Sequence, residues 1–170
     1  HWAVDRDGGT FQGIPEDKRS IHGDGWNDHG IGIEIASWGD LEKKGGKYIN
    51  TYNDSVPVDQ VVDLGFTWNG HRYYQDYTDA EIIALKSLIS GMITRYPKIN
   101  TGISGKNVWK ETFGLSSGKP AKNSKHRYKD HRNTNKYGIY THATGAGGDH
   151  SDLFPSPKII QMLLGFGMVE

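Results

Sequence analysis

The chain has 170 residues and no net charge, with 20 Lys+Arg against 20 Asp+Glu, 35% hydrophobic residues and no cysteine. That length suits one domain with a real core. The missing cysteines exclude a disulfide scaffold, a thiol nucleophile and a Cys-ligated metal, so any metal must be held by His, Asp or Glu. Zero net charge argues against a global role in binding polyanions.

No apolar run approaches the roughly 20 residues that span a bilayer. No basic-then-apolar signal segment is present either. The first residue is His1, which is not an initiator and leads straight into strand-like Trp2-Ala-Val4. The reading therefore expects a further segment ahead of it.

Residues 2–14 read as a hairpin, with Asp5-Arg6-Asp7-Gly8-Gly9 as its turn between β-prone runs. Residues 20–30 are a Gly/Asp/His/Asn loop. Residues 31–36 alternate: Ile31, Ile33 and Ile35 face one way, Gly32, Glu34 and Ala36 the other. From about 41 to 77 the chain is polar and aromatic with little period. It reads as an insertion holding one small hairpin around Asn69-Gly70.

Thr78 and Glu81 form a capping box, and Ile82, Leu85, Ile89 and Met92 continue as an apolar stripe, predicting a helix from Asp79 to Tyr96 stopped by Pro97. Residues 100–118 read as loop with a short Val108-Trp109 patch. A basic loop follows at about 116–136, with Lys119, Lys122, Lys125, Arg127, Lys129, Arg132 and Lys136 against Asp130. Tyr137–Thr141 reads as a strand. Ser156 as N-cap, Pro157 at the first turn and Gly165 beyond the end predict a last helix over 157–164. The expected fold is a single α/β domain, a mixed central β-sheet flanked by α-helices.

The chemistry concentrates in two places. After Tyr137–Thr141 come His142, a glycine-rich loop, and then His150 and Asp152. Imidazole and carboxylate are competent zinc ligands, though such a loop taken alone is more often a turn with Asx hydrogen bonds. Glu34 stands on the polar face of an apolar strand. It reads either as a surface carboxylate or as a general base in a cleft.

These segments together resemble the zinc-dependent N-acetylmuramoyl-L-alanine amidases, the superfamily that includes phage endolysins and peptidoglycan-recognition proteins. The resemblance rests on Trp2 to Gln12, on His22-Gly-Asp-Gly-Trp26-Asn27 with Ile31-Gly-Ile-Glu34, on Tyr77-Thr78-Asp79 with its helix, and on Thr141-His142 with Ser151-Asp152-Leu-Phe-Pro-Ser-Pro.

It implies that His142 and Asp152 hold Zn2+, that Glu34 is the general base, and that His150 stabilises the oxyanion where many members place a lysine. His22, Trp26 and Asn27 would line the substrate groove. The implied activity is cleavage of the amide between N-acetylmuramic acid and L-alanine in bacterial peptidoglycan, at the cell wall, by a phage lysin or a secreted enzyme. The family's first zinc-binding His and its active-site tyrosine have no counterpart here, and the reading expects them upstream of His1.

The first rival is a non-catalytic peptidoglycan-binding module of the same fold. The second is nucleic-acid binding through the basic loop. Zero net charge and the lack of interleaved aromatics count against it.

Overall fold

Asp5-Arg6-Asp7-Gly8 turns the chain back on itself as expected, with Gly8 at φ +87° and its N–H bonded to the Asp5 carbonyl at 2.8 Å. This opening hairpin pairs β1 (Trp2–Val4) antiparallel with β2 (Thr10–Gln12). The computed structural model to which it belongs describes residues 1–23, 26–115, 120, 125–126, 137–142 and 152–170.

The alternating run yields β3 (Ile33–Ile35), which pairs parallel with β1 so that Ala3 faces Glu34. Bonds from Trp2 N–H to the Gly32 carbonyl and from Ala36 N–H to the Val4 carbonyl carry the pairing past both ends. β1 is thus the middle of a three-stranded sheet, order β2-β1-β3. It fixes the strand on which Glu34 rides.

Residues 40–75 hold more regular structure than their sequence suggests. β4 (Asp40–Lys44), β5 (Lys47–Ile49), β6 (Ser55–Val56), β7 (Val61–Trp68) and β8 (His71–Gln75) are joined by β9 (Lys125–His126). Together they form a six-stranded sheet, order β6-β5-β4-β8-β7-β9. The hairpin around Asn69-Gly70 is present, with both residues at positive φ (45° and 91°), as a type I′ turn requires. β4 to β6 escape the sequence pattern because they bury little. In β4 only Leu41 is buried, while Glu42, Lys43 and Lys44 are exposed, so the alternation of a half-buried strand is missing.

The helices follow their signals closely. α1 (Asp79–Arg95) carries the full capping box between Thr78 and Glu81 and buries Leu85, Ile89 and Met92. Pro97 does more than end it. It opens a short α2 (Pro97–Thr101), where its missing N–H costs nothing at the first turn. α3 (Pro157–Leu164) is capped by the Ser156 side chain and buries Ile159, Ile160, Met162 and Leu163.

Two expectations need correcting. Val108–Thr112, read as loop, is a π-helical turn with Val108, Trp109 and Thr112 buried. Its apolar residues are too few to show a helical period. Tyr137–Thr141, read as a strand, has no ladder pairing among the described residues. Bonds tie it to that turn: Thr141 N–H and hydroxyl both donate to the Thr112 carbonyl, and the Thr112 hydroxyl donates to the Ile139 carbonyl. A helical turn offers single carbonyls and no strand edge, so β pairing cannot propagate. The segment is also clasped from outside, since a side chain at Gly102 would collide with the Tyr137 carbonyl.

One core serves both sheets. Trp68, Trp109, Phe113, Ile103 and Val108 lie at its centre, and Ile33, Ile35, Val62, Leu85, Ile89 and Ile159 feed it from β3, β7, α1 and α3. The architecture is therefore a single mixed α/β domain. Of the basic loop at 116–136, only Pro120 and the backbone of β9 fall among the described residues. No helix among the described residues is long and apolar enough to cross a membrane.

Candidate active site

Asp152 is delivered by an anchored tail. Phe154 is sandwiched between Tyr74 and Tyr77, at ring-centroid distances of 4.5 and 4.9 Å. The Ser156 hydroxyl donates to Asp76 at 3.0 Å, and Lys158 donates to the Tyr77 carbonyl at 2.8 Å. These contacts bring Asp152 to His142, whose Nδ1 lies 2.8 Å from an Asp152 carboxylate oxygen.

Glu34 approaches the same pair from β3. Its side chain is exposed, yet neighbouring atoms strip part of its hydration. That burial raises its pKa, the neighbouring Asp152 carboxylate raises it further, and His142 pulls it back down. The three groups therefore share one electrostatic site, although Glu34 lies more than a hundred positions ahead of the other two.

His22 borders this site, since a side chain on neighbouring Gly23 would touch the His142 ring at 3.8 Å. Its backbone N–H donates to Asn27 Oδ1 at 2.8 Å, and its Nδ1 meets the Ser20 carbonyl at 2.9 Å. A carbonyl can only accept, so Nδ1 carries the proton and Nε2 the lone pair. Partial burial lowers the His22 pKa against the opposing pull of the Ser20 carbonyl; the N-terminal amine and His142 lower it further. The imidazole flattens onto the strand because Gly32 has no side chain. A Cβ there would stand 2.7 Å from the ring's Cγ.

Asn27 spends its amide oxygen inside the loop, accepting from both His22 and Gly23 backbone N–H groups. It therefore shapes the site from behind. Trp26 stacks on Tyr140 at 4.5 Å, and its indole N–H is buried with no hydrogen-bond partner among the described residues. His150 lies outside the described residues.

The sequence reading missed four contributors. Tyr140 forms the stack under Trp26. Ser20 steers the His22 ring, together with His1, whose Nδ1 accepts from Gly32 N–H at 2.9 Å. Tyr77 is fully buried, and its phenol is pushed well above its ordinary pKa, by burial first and then by Glu81, Asp152, Asp76 and Glu34. It stays a neutral hydroxyl against this carboxylate cluster. Only Tyr77 had a usable signal, its place directly ahead of the capping box.

The donor chemistry suits a divalent cation in part. One imidazole and one carboxylate converge, as two of the three protein ligands that catalytic zinc normally uses. Among the described residues no group of three His, Asp or Glu is assembled to hold a metal.

No curated protein and no solved structure matches the chain. The family model for N-acetylmuramoyl-L-alanine amidase matches it over residues 1–155, a span that takes in Glu34, His142 and Asp152. With nine-tenths of its length matched, and its carboxylate–imidazole cluster inside the match, the chain belongs to the N-acetylmuramoyl-L-alanine amidase family, whose members hydrolyse amide bonds of peptidoglycan at the cell wall.

Proposed function

We propose that the protein cleaves the amide between the lactyl group of N-acetylmuramic acid and L-alanine, using zinc held in part by His142 and Asp152, in the manner of a phage endolysin. The observation that carries this reading is the meeting of His142 with Asp152 at 2.8 Å, within electrostatic reach of the partly desolvated Glu34 carboxyl. Zinc, when bound, supplies a Lewis acid for the amide carbonyl and for water.

Glu34 takes the proton of the attacking water and hands it to the departing L-alanine nitrogen. Its raised pKa suits that cycle, because a base that must return its proton works best when its pKa is close to the working pH. His150 donates a hydrogen bond to the oxygen that becomes negative. His22 and the Trp26–Tyr140 stack form the wall against which the muramoyl-peptide lies. Asn27 keeps that wall in shape.

A second reading, a peptidoglycan-binding module without catalysis, draws support from the pairing of only two ligand-type groups among the described residues. Zinc content and amine release from purified sacculi separate the two. The proposal expects about one zinc per chain and new L-alanine amino groups. Sacculus binding without amine release would establish the binding module instead.

A further inference from the structure

Two large aromatic side chains stand in solvent just beyond the strand that bears Glu34. Trp38 is 50% exposed and Tyr52 is 75% exposed. Their rings meet edge to face, with centroids 5.7 Å apart and planes at 65°. Single exposed aromatics are ordinary. These two differ because buried polar groups are used to hold them.

Gln75, 3% exposed, accepts the Trp38 N–H on its side-chain oxygen at 2.9 Å. Its backbone carbonyl accepts the Ser37 hydroxyl, and its N–H donates to the Gly39 carbonyl. Asn50, 5% exposed, accepts the N–H groups of Tyr52 and Asp54 at 3.0 and 2.8 Å, tying the 50–54 turn shut. Rings on braced backbone lose little freedom when a ligand arrives, which is how exposed aromatics gain affinity. The neighbouring Tyr48 and Tyr73 are different: Lys43 lies 5.3 and 5.7 Å from their ring centroids.

We propose that Trp38 and Tyr52 form a sugar-stacking subsite that grips the glycan backbone of peptidoglycan next to the catalytic cleft. This rests on the amidase reading above and extends it from one amide to the polymer. Trp38 lies four residues past Glu34, at most about 14 Å of extended chain. A glycan strand whose muramoyl unit sits at Glu34 therefore reaches it.

The size of the patch also selects the occupant. Two rings at these exposures offer on the order of 300 Å², well short of the roughly 1,000 Å² that a specific protein interface needs. The exposed Glu42, Lys43 and Lys44 of adjacent β4 do not suit insertion into lipid. The apolar C–H face of a hexopyranose matches an aromatic ring in area and polarity.

The test uses the full chain and glycan strands stripped of their peptides. The Trp38→Ala/Tyr52→Ala double variant should bind them roughly tenfold more weakly than the parent. Trp38→Phe/Tyr52→Phe should restore most of that binding. Phe11→Ala, which removes an equally exposed ring from β2, should change nothing. Amine release from a soluble muramoyl-peptide should be the same for parent and double variant.

Equal glycan binding by parent and double variant would overturn the subsite, as would an equal loss in Phe11→Ala. So would a parent that binds no peptide-free glycan, or a double variant that instead loses affinity for phospholipid vesicles. Failure of the parent to release amine from the soluble fragment would count against the amidase reading alone, because glycan binding is scored without turnover.

Discussion

Replacing Gly32 by alanine tests the site through a single methyl group. The added Cβ would stand 2.7 Å from His22 Cγ, 2.9 Å from Cδ2 and 3.0 Å from Cβ. Carbon atoms rest at about 3.5–4.0 Å, so the His22 ring must retreat by close to 1 Å. It cannot do so freely. Its Nδ1–H is bonded to Ser20, and its backbone N–H to Asn27. Overpacking of this kind costs roughly 1–3 kcal/mol. For a chain of this length each kcal/mol lowers the melting temperature by about 2–4 °C, so a fall near 6 °C is expected.

Two other glycines calibrate the measurement. At Gly30 the nearest atoms are His22 Nε2 at 3.1 Å and the Trp26 carbonyl at 3.2 Å, so alanine there should cost less. At Gly13 nothing lies within 4 Å, and alanine should be neutral or stabilise by about 0.4–1 kcal/mol through the unfolded state. Thermal denaturation of the three variants reads the order directly, and sacculus binding reports the displaced ring. A Gly32→Ala protein that melts with the parent, or a Gly13→Ala protein as damaged as Gly32→Ala, would refute the packing argument.

On the proposed zinc mechanism, Glu34→Gln should leave the metal content of the parent unchanged but lower turnover on sacculi by about 10²–10⁴-fold, whereas His142→Ala and Asp152→Ala should each lower metal content by elemental analysis. Glu81→Ala removes a fully buried carboxylate that accepts the Thr78 N–H at 2.6 Å and faces Arg6 at 3.5 Å. Because Arg6 keeps some contact with water, a loss near the low end of the buried-pair range, about 3 kcal/mol, is expected in urea denaturation. Glu16 is held below its ordinary pKa chiefly by its hydrogen bonds from Arg95. A depressed carboxylate pKa stabilises above the unfolded value and loses that effect as pH falls through the folded one. Glu16→Gln should therefore cost up to about 1 kcal/mol at neutral pH, since Arg95 is half exposed and water screens the pair, and the gap should close in acid; a gap that persists there would exclude charge as its cause.

Helix ends and turns were legible because their causes are local. Thr78 with Glu81, Ser156 with Pro157, and Asn69-Gly70 each act within a few residues, and each structure stands where its sequence signal lies. Glu34 was legible as the charged residue on the face opposite the isoleucines of its strand. Strands β4 to β6 were not, since two isolated buried residues, Leu41 and Val56, give no period to read. The turn at Val108–Thr112 was likewise hidden, because its burial comes from distant residues of β7: Phe66 meets Trp109, and Trp68 meets the adjoining Phe113.

The sequence by itself determined the α/β class, the capped helices and the residue types able to do chemistry, because backbone propensity and side-chain chemistry are properties of short segments. Only the tertiary structure decided that Asn27 is spent bracing its own loop, that Tyr77 joins the carboxylate cluster, and that Tyr140 lies beneath Trp26. Those roles depend on which distant groups share a dehydrated space. That is settled by how the parallel pairing of β1 with β3 and the Phe154 stack close the chain on itself.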